Sequence, residues 1–225
     1  MFQKTCKAFA AGALFISTVA TSGVEIGGTR LIYNGTASQP AISVNNPDSK
    51  PYLIQSWISK TENGDESDSE FSTTPPLFKL NAHAQNSVRV TLGENRLPTD
   101  RETVQWLNIK AIPTSSPEAK NELLIAVKSK MKLFYRPAEL KGDPALAYQQ
   151  LTFSNEAGKL TIHNPSPFSV SLYELKVNGK KREQPPMILP FQTVSLPQPA
   201  VTGGDVSWRA INDFGGISAE HKTKM

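Results

Sequence analysis

Between Leu123 and Arg136 the chain places aliphatic residues and cations in one alternating run, LLIAVKSKMKLFYR. Counted at the two-residue period of a strand, Leu123, Ile125 and Val127 share one face, and Lys128, Lys130 and Lys132 recur at the same period. An aliphatic ladder can fill an apolar groove. Ammonium groups, with the guanidinium of Arg136, can hold an anion through charge-assisted hydrogen bonds. Leu, Ala, Glu and Lys are also good helix formers, so a helix is possible here, but the alternating lysines favour a strand. From Asn121 the run meets neither Gly nor Pro until Pro137. Fully extended it would reach roughly 50 Å at about 3.3 Å per residue, whereas an ordinary strand has only about 5–6 residues. These features predict a strand that crosses its own domain, and they leave two readings of the ladder: core of the protein's own sandwich, or a face offered to a partner strand whose terminus a cation grips. Strict alternation sets Lys132 and the odd-numbered ladder on opposite faces; a bulge or strong twist near Ser129-Lys130 would reconcile them, and the sequence alone shows none. Leu124 and Ala126 are expected to be core of the protein's own sandwich.

Other chemistry is sparse. His83, His163 and His221 are far apart, with no partner at metal-ligand spacing, and read as surface or turn residues. There is no Gly-x-Ser-x-Gly elbow and no phosphate-binding glycine loop. The one cysteine, Cys6, precedes the expected fold. Asp65, Glu66, Asp68 and Glu70 lack the central glycine of a calcium loop and read as a solvated stretch. No cofactor, metal site or catalytic constellation is indicated.

The elements needed to position the ladder are short strands. Residues 1–22 are set aside as a secretory signal, with Lys4 and Lys7 before an apolar stretch and cleavage expected after Ala20 or Ser22. Without them the net charge falls from +4 to +2, which gives little support to a nucleic-acid partner. An exported chain with no later cysteine must draw its stability from core burial. Strands are predicted over 29–33, 41–44, 52–58, 87–92 and 103–112, with 74–80 as a proline-bearing edge segment and Trp106 and Leu107 as core. With the long strand this makes about seven strands with turn signals every 8–12 residues, the pattern of an immunoglobulin-like sandwich. After the candidate linker 140–144, a second set is predicted at 151–153, 159–162, 168–177, 187–189, 193–196 and 206–211. The expected fold is all-β: two immunoglobulin-like domains, 23–139 and 140–225.

Three segments give the chain a specific likeness. LPTDRETVQWLNIKAIP (97–113), KMKLFYRP (130–137) and INDFGG (211–216) resemble the periplasmic chaperones of chaperone–usher pilus assembly, the PapD-like family. Supporting pieces are PYLIQSWI (51–58), TPPLFKL (74–80) and NPSP (164–167). The resemblance implies two immunoglobulin-like domains in an L or boomerang with a cleft between them. It implies that Arg30 and Lys132 anchor the C-terminal carboxylate of a pilus subunit. It gives Leu123, Ile125 and Val127 the role of a donated strand filling the groove of an incomplete subunit, and Glu102, Arg136 and Asp213 that of a charged set tying the domains together. The implied partners are pilus subunits, an outer-membrane usher and, in the free state, a second copy covering the ladder. The short stretch between Pro113 and Asn121 resembles the short-loop branch, and the short C-terminus, without a cysteine pair, suggests a weak last strand. The alternatives are a pilus subunit or adhesin, which would be one incomplete sandwich with its own donor extension, and an enzyme on a sandwich scaffold, which would need a catalytic cluster.

Overall fold

The computed structural model describes residues 23–35, 39–64, 69–94, 96–115, 123–156, 158–197 and 203–225. The expected signal segment, Asp65, Glu66 and Asp68, and most of the loop after Pro113 lie outside the described residues. The first half folds into nine strands: β1 (Glu25–Ile26), β2 (Arg30–Asn34), β3 (Ala41–Asn45), β4 (Tyr52–Ser59), β5 (Phe71–Thr74), β6 (Leu77–Leu80), β7 (Gln85–Leu92), β8 (Thr103–Pro113) and β9 (Val127–Arg136). They form two sheets, ordered β1-β3-β7-β5 and β2-β9-β8-β4-β6. The period-2 pattern explains the packing, because every second residue faces inward. Ile42, Val44, Val88 and Val90 on one sheet meet Ile54, Ile58, Leu107 and Leu133 on the other in a single buried core. The first strand changes sheets at Gly27-Gly28, where the backbone passes so close to β3 that a Cβ on Gly27 would lie 2.0 Å from Ser43 Oγ. Any larger residue at that crossing would have to displace the Ser43 hydroxyl.

The segment 74–80 lies at sheet edges as expected: it splits at Pro75-Pro76, so β5 closes the edge of one sheet and β6 the edge of the other. One expectation is corrected in this domain. Trp106 is not core. Leu107 is fully buried, and its sequence neighbour must then point to the opposite face of β8, where Trp106 is half-buried.

The second half begins with a 3-10 turn, Ala147–Gln150, and continues through β10 (Thr152–Glu156), β11 (Lys159–His163), β12 (Val170–Val177), β13 (Lys180–Lys181), β14 (Met187–Ile188), β15 (Thr193–Pro197), β16 (Asp205–Ala210) and β17 (His221–Lys224). One sheet runs β10-β11-β15. The other runs β13-β12-β16-β17, with β14 also on β12. Leu160 and Ile162 pack with Leu172, Leu175, Val206 and Trp208 in a second core, separate from the first. Trp208 Nε1 donates to the Tyr148 carbonyl at 2.8 Å, so the indole N–H is satisfied inside that core.

Both domains use a buried asparagine to tie loops to strand ends. Asn46 Nδ2 donates to the carbonyls of Lys50 and Asn81. Asn164, fully buried, donates to the carbonyls of Phe168, Ile188 and Leu189 and accepts from the Ser166 N–H and hydroxyl. Alanine at 164 would strip hydrogen-bond partners from several buried groups at once, each costing about 1–3 kcal/mol when left unsatisfied. Asn164→Ala is accordingly expected to destabilise the protein by about 3 kcal/mol, read as a lower midpoint in urea unfolding.

Candidate functional site

The site is organised by β9. From Thr103↔Tyr135 to Ala111↔Val127 its pairing with β8 keeps one unbroken register, with no bulge near Ser129-Lys130. Alternation holds throughout. Met131, Leu133 and Tyr135 are buried in the first core, while Lys128, Lys130, Lys132 and Arg136 stand on the other face. The bulge is not needed. Leu123, Ile125 and Val127 prolong the core-facing row past the point where the sandwich ends, and the cations keep to the opposite face, from which Lys132 and Arg136 reach Ser171 and Asp213 of the second domain.

The two edges of β9 differ. On one side β8 pairs with it from Val127 to Tyr135. On the other, β2 runs parallel to it but only from Arg30↔Lys132 to Asn34↔Arg136. Ahead of Lys132, among the described residues, that second edge of β9 carries no strand. Leu123–Ala126 are outside the strand altogether. Leu123, Ile125 and Val127 are 82%, 66% and 56% exposed. Leu124 and Ala126, expected as core, are exposed as well. Their own sheet stops at the Ala111–Val127 pair, so neither face of this segment has a domain to pack on.

Where the open edge ends, two cations stand side by side. Arg30 and Lys132 are direct neighbours across β2 and β9 and both are half-buried. The Arg30 guanidinium lies over the Phe134 ring at 5.6 Å, and its Nη1 donates to the Ile211 carbonyl at 3.1 Å. The Lys132 ammonium sits 5.8 Å from the Trp106 ring centre and 3.4 Å from Ser171 Oγ. Burial lowers the pKa of Arg30, against the pull of Asp213. Burial, and then the neighbouring Arg30 charge, lower that of Lys132. Two desolvated like charges are thus held together, an arrangement that favours a bound anion.

The predicted charged set also comes together. Arg136 donates through Nε to Glu102 Oε1 at 2.6 Å and through Nη1 and Nη2 to the two carboxylate oxygens of Asp213 at 2.7 and 3.0 Å. Glu102, only 3% exposed, accepts at its other oxygen from the Ser169 N–H at 2.8 Å. Its own N–H donates to the Pro167 carbonyl. Burial pushes its carboxyl above the ordinary carboxylate range, and Arg136 and the Ser169 N–H pull it back. The bonds to Asp213, Ser169 and Pro167 run from Arg136, at the end of β9, and Glu102, just ahead of β8, to the second half, so the link spans the cleft between the two cores.

The histidines are dispersed. His83 lies in a turn, His163 Nδ1 is 3.0 Å from Thr193 Oγ1, and His221 packs edge-on against Trp208. Among the described residues no group of three potential metal ligands forms.

Two family models cover nearly all of the described fold. Residues 23–141 match the N-terminal domain of the pili and flagellar-assembly chaperone PapD, and residues 146–222 match the C-terminal domain of the pili assembly chaperone PapD. The chain belongs to the pilus-assembly chaperone family. Similar family members include the chaperone protein LpfB of Salmonella typhimurium, 40% identical over 209 residues that cover 90% of this chain and 89% of that one. The chaperone protein FimC of Escherichia coli K12 is 38% identical over 214 residues, covering 92% and 86%. Among solved structures, the complex of the SafA pilin with the SafB chaperone from Salmonella enterica matches with a TM-score of 0.81 at 35% identity, covering 90% of this chain and 96% of that one. The relatives of this chaperone-family chain are named as chaperones, not as subunits or adhesins, and its fold is the family's all-β pair of immunoglobulin-like domains. A solved relative, SfaE, is described as a periplasmic chaperone.

Several contributors escaped the sequence reading. The Ile211 carbonyl and the Ser169 N–H are backbone groups, which any residue type could supply. Ser171, Trp106 and Phe134 reach Arg30 and Lys132 only through sheet register and domain contact. Their one-dimensional trace is the alternation itself, since Phe134 and Lys132 share a parity on β9, as Trp106 and Asn108 do on β8.

Proposed function

We propose that this protein is a periplasmic chaperone that caps fimbrial subunits by lending them the strand led by Leu123, Ile125 and Val127, and then delivers them to an outer-membrane usher. The observation that carries this reading is an open edge of β9 that ends at Arg30 and Lys132. A partner strand can lie along that edge only until it meets the first residue of β2. If its C-terminal carboxylate reaches Arg30 and Lys132, it must run in the same direction as β9, end to end with β2. An incomplete sandwich presents an apolar groove and unpaired edges, which invite aggregation. The lent strand satisfies both. Each buried aliphatic side chain contributes roughly 1.5–3 kcal/mol, and each hydrogen bond to the charged terminus about 1.5–3 kcal/mol. The carboxylate also sets the register, since a slip of one residue would turn the ladder away from the groove.

The relatives' names, and the neighbouring structure of a chaperone with a pilin, support this reading. Export by residues 1–22, a domain boundary near 139/140, and a free state in which a second copy covers the ladder belong to the same proposal.

The test is a comparison of faces. Ile125→Asp places a charge on the row that enters the groove, and because Ile125 is exposed the free protein should unfold at the wild-type midpoint. Co-expressed subunit recovered from the periplasm should fall at least tenfold. Undiminished recovery with Ile125→Asp and with Val127→Asp would overturn the lent-strand reading.

A further inference from the structure

A cavity of about 310 Å³ opens between the two domains beside Arg30. The mechanism proposed above uses only the guanidinium at its edge. Phe134, Tyr148, Val170 and Ala210, all buried, line it along with Arg30. At its rim stands Phe214, 96% exposed at the tip of the turn that also carries Asp213. An engineered cavity of about 150 Å³ already accepts benzene, while drug-sized pockets begin near 300 Å³. The space therefore suits one large side chain. Among the described residues, two buried polar atoms in its walls, Arg30 Nε and Ser169 Oγ, have no hydrogen-bond partner. Such unfilled capacity is uncommon in a finished site.

Resting on the carboxylate-anchor reading, we propose that this cavity receives the side chain of the partner's C-terminal residue and selects for an aromatic or large aliphatic one. The argument is one of continuity. A strand that follows the open edge of β9 stops at Arg30, because β2 occupies the next positions along that edge. Its last side chain then has the two faces of the sheet to choose from. One is the sealed first core, with Leu31 and Met131 buried. The other carries Arg30 and opens onto the cavity. Phe134, Tyr148, Val170, Ala210 and Phe214 give that space an apolar portion beside the Glu102, Arg136 and Asp213 charges that also line it, while Arg30 holds the charged end at its entrance. An exposed phenylalanine on a loop already tied to Arg136 through Asp213 gains a role as a movable wall that covers the inserted group.

The experiment uses the full-length mature protein and short synthetic peptides of one alternating apolar sequence, fluorescently labelled at the N-terminus. They differ only in the last residue, Phe, Leu, Ser or Gly, and each is made as free acid and as amide. Anisotropy should show the Phe and Leu acids binding about tenfold or more tighter than the Gly acid, the scale of burying one such side chain. Phe214→Ala and Ala145→Trp both alter exposed rim positions and leave the core untouched. Both should flatten this preference while keeping acid tighter than amide. Equal binding of Phe and Gly acids, with acid still favoured over amide, would overturn the cavity assignment and leave the anchor standing. Equal binding of acids and amides would remove the anchor, and this inference with it.

Discussion

Lys132→Ala and Arg30→Ala are each expected to lower subunit affinity by about 10- to 100-fold, and the double variant by more than about 100-fold, from the strength of a hydrogen bond to a charged group. Free Lys132→Ala should lose no stability, whereas Arg30→Ala also gives up the bond to the Ile211 carbonyl. Both cations are half-buried and adjacent, and each is held against the cost of desolvation. Removing Lys132 relieves Arg30, so in Lys132→Ala binding and stability should move in opposite directions, a pattern that general misfolding does not produce. The pH dependence follows from the same crowding. The pKa of Lys132 lies below its ordinary value of 10.5, so the unfolded chain holds this proton more tightly than the folded one. The free protein should gain stability as pH rises through the interval below 10.5, and that gain should vanish in Lys132→Ala. Subunit recovery from the periplasm and urea unfolding of the purified variants read the two effects separately.

The second large effect is at Arg136. Alanine there would leave Glu102 buried with no counter-charge, a change that typically costs about 3–5 kcal/mol. Glu102→Gln should cost less, because the neutral amide oxygen can still accept from the Ser169 N–H. Asp213→Asn should cost about 1 kcal/mol or less, since Asp213 is partly solvated and screened. The expected order in denaturant midpoint is thus Arg136→Ala lowest, then Glu102→Gln, then Asp213→Asn. An Asp213 variant as damaged as Arg136→Ala would show that the link is held from the loop and not from the buried carboxylate.

Strands with apolar alternation were legible. The runs at 41–45, 52–59, 85–92 and 103–113 follow from period-2 patterning and turn residues, and Pro137 marks the end of β9. The strand His221–Lys224 was not legible, because HKTK has no apolar row and is a strand only by pairing with β16. The 3-10 turn at Ala147–Gln150 has no side-chain cap to announce it. Trp106 was misplaced by treating neighbours as a pair when a strand must separate them. Leu124 and Ala126 were misplaced because composition cannot reveal where a neighbouring strand runs out. At the site, parity separated the ladder from Lys132 correctly, and the apparent conflict came from assuming that both had to serve one face. The adjacency of Arg30 and Lys132 depends on a parallel pairing between segments about a hundred residues apart, which no local pattern encodes.

In the complex proposed above, a strand held against β9 and stopped by β2 is measured from its tail, so the site would act as a ruler whose zero mark is the last carboxylate. Lengthening a client by a single residue would present the wrong side of the segment to the lent row, however well the remainder matched. Purification tags on clients should for that reason be placed at the front of the polypeptide, because one fused to the tail would erase the mark from which the match is counted.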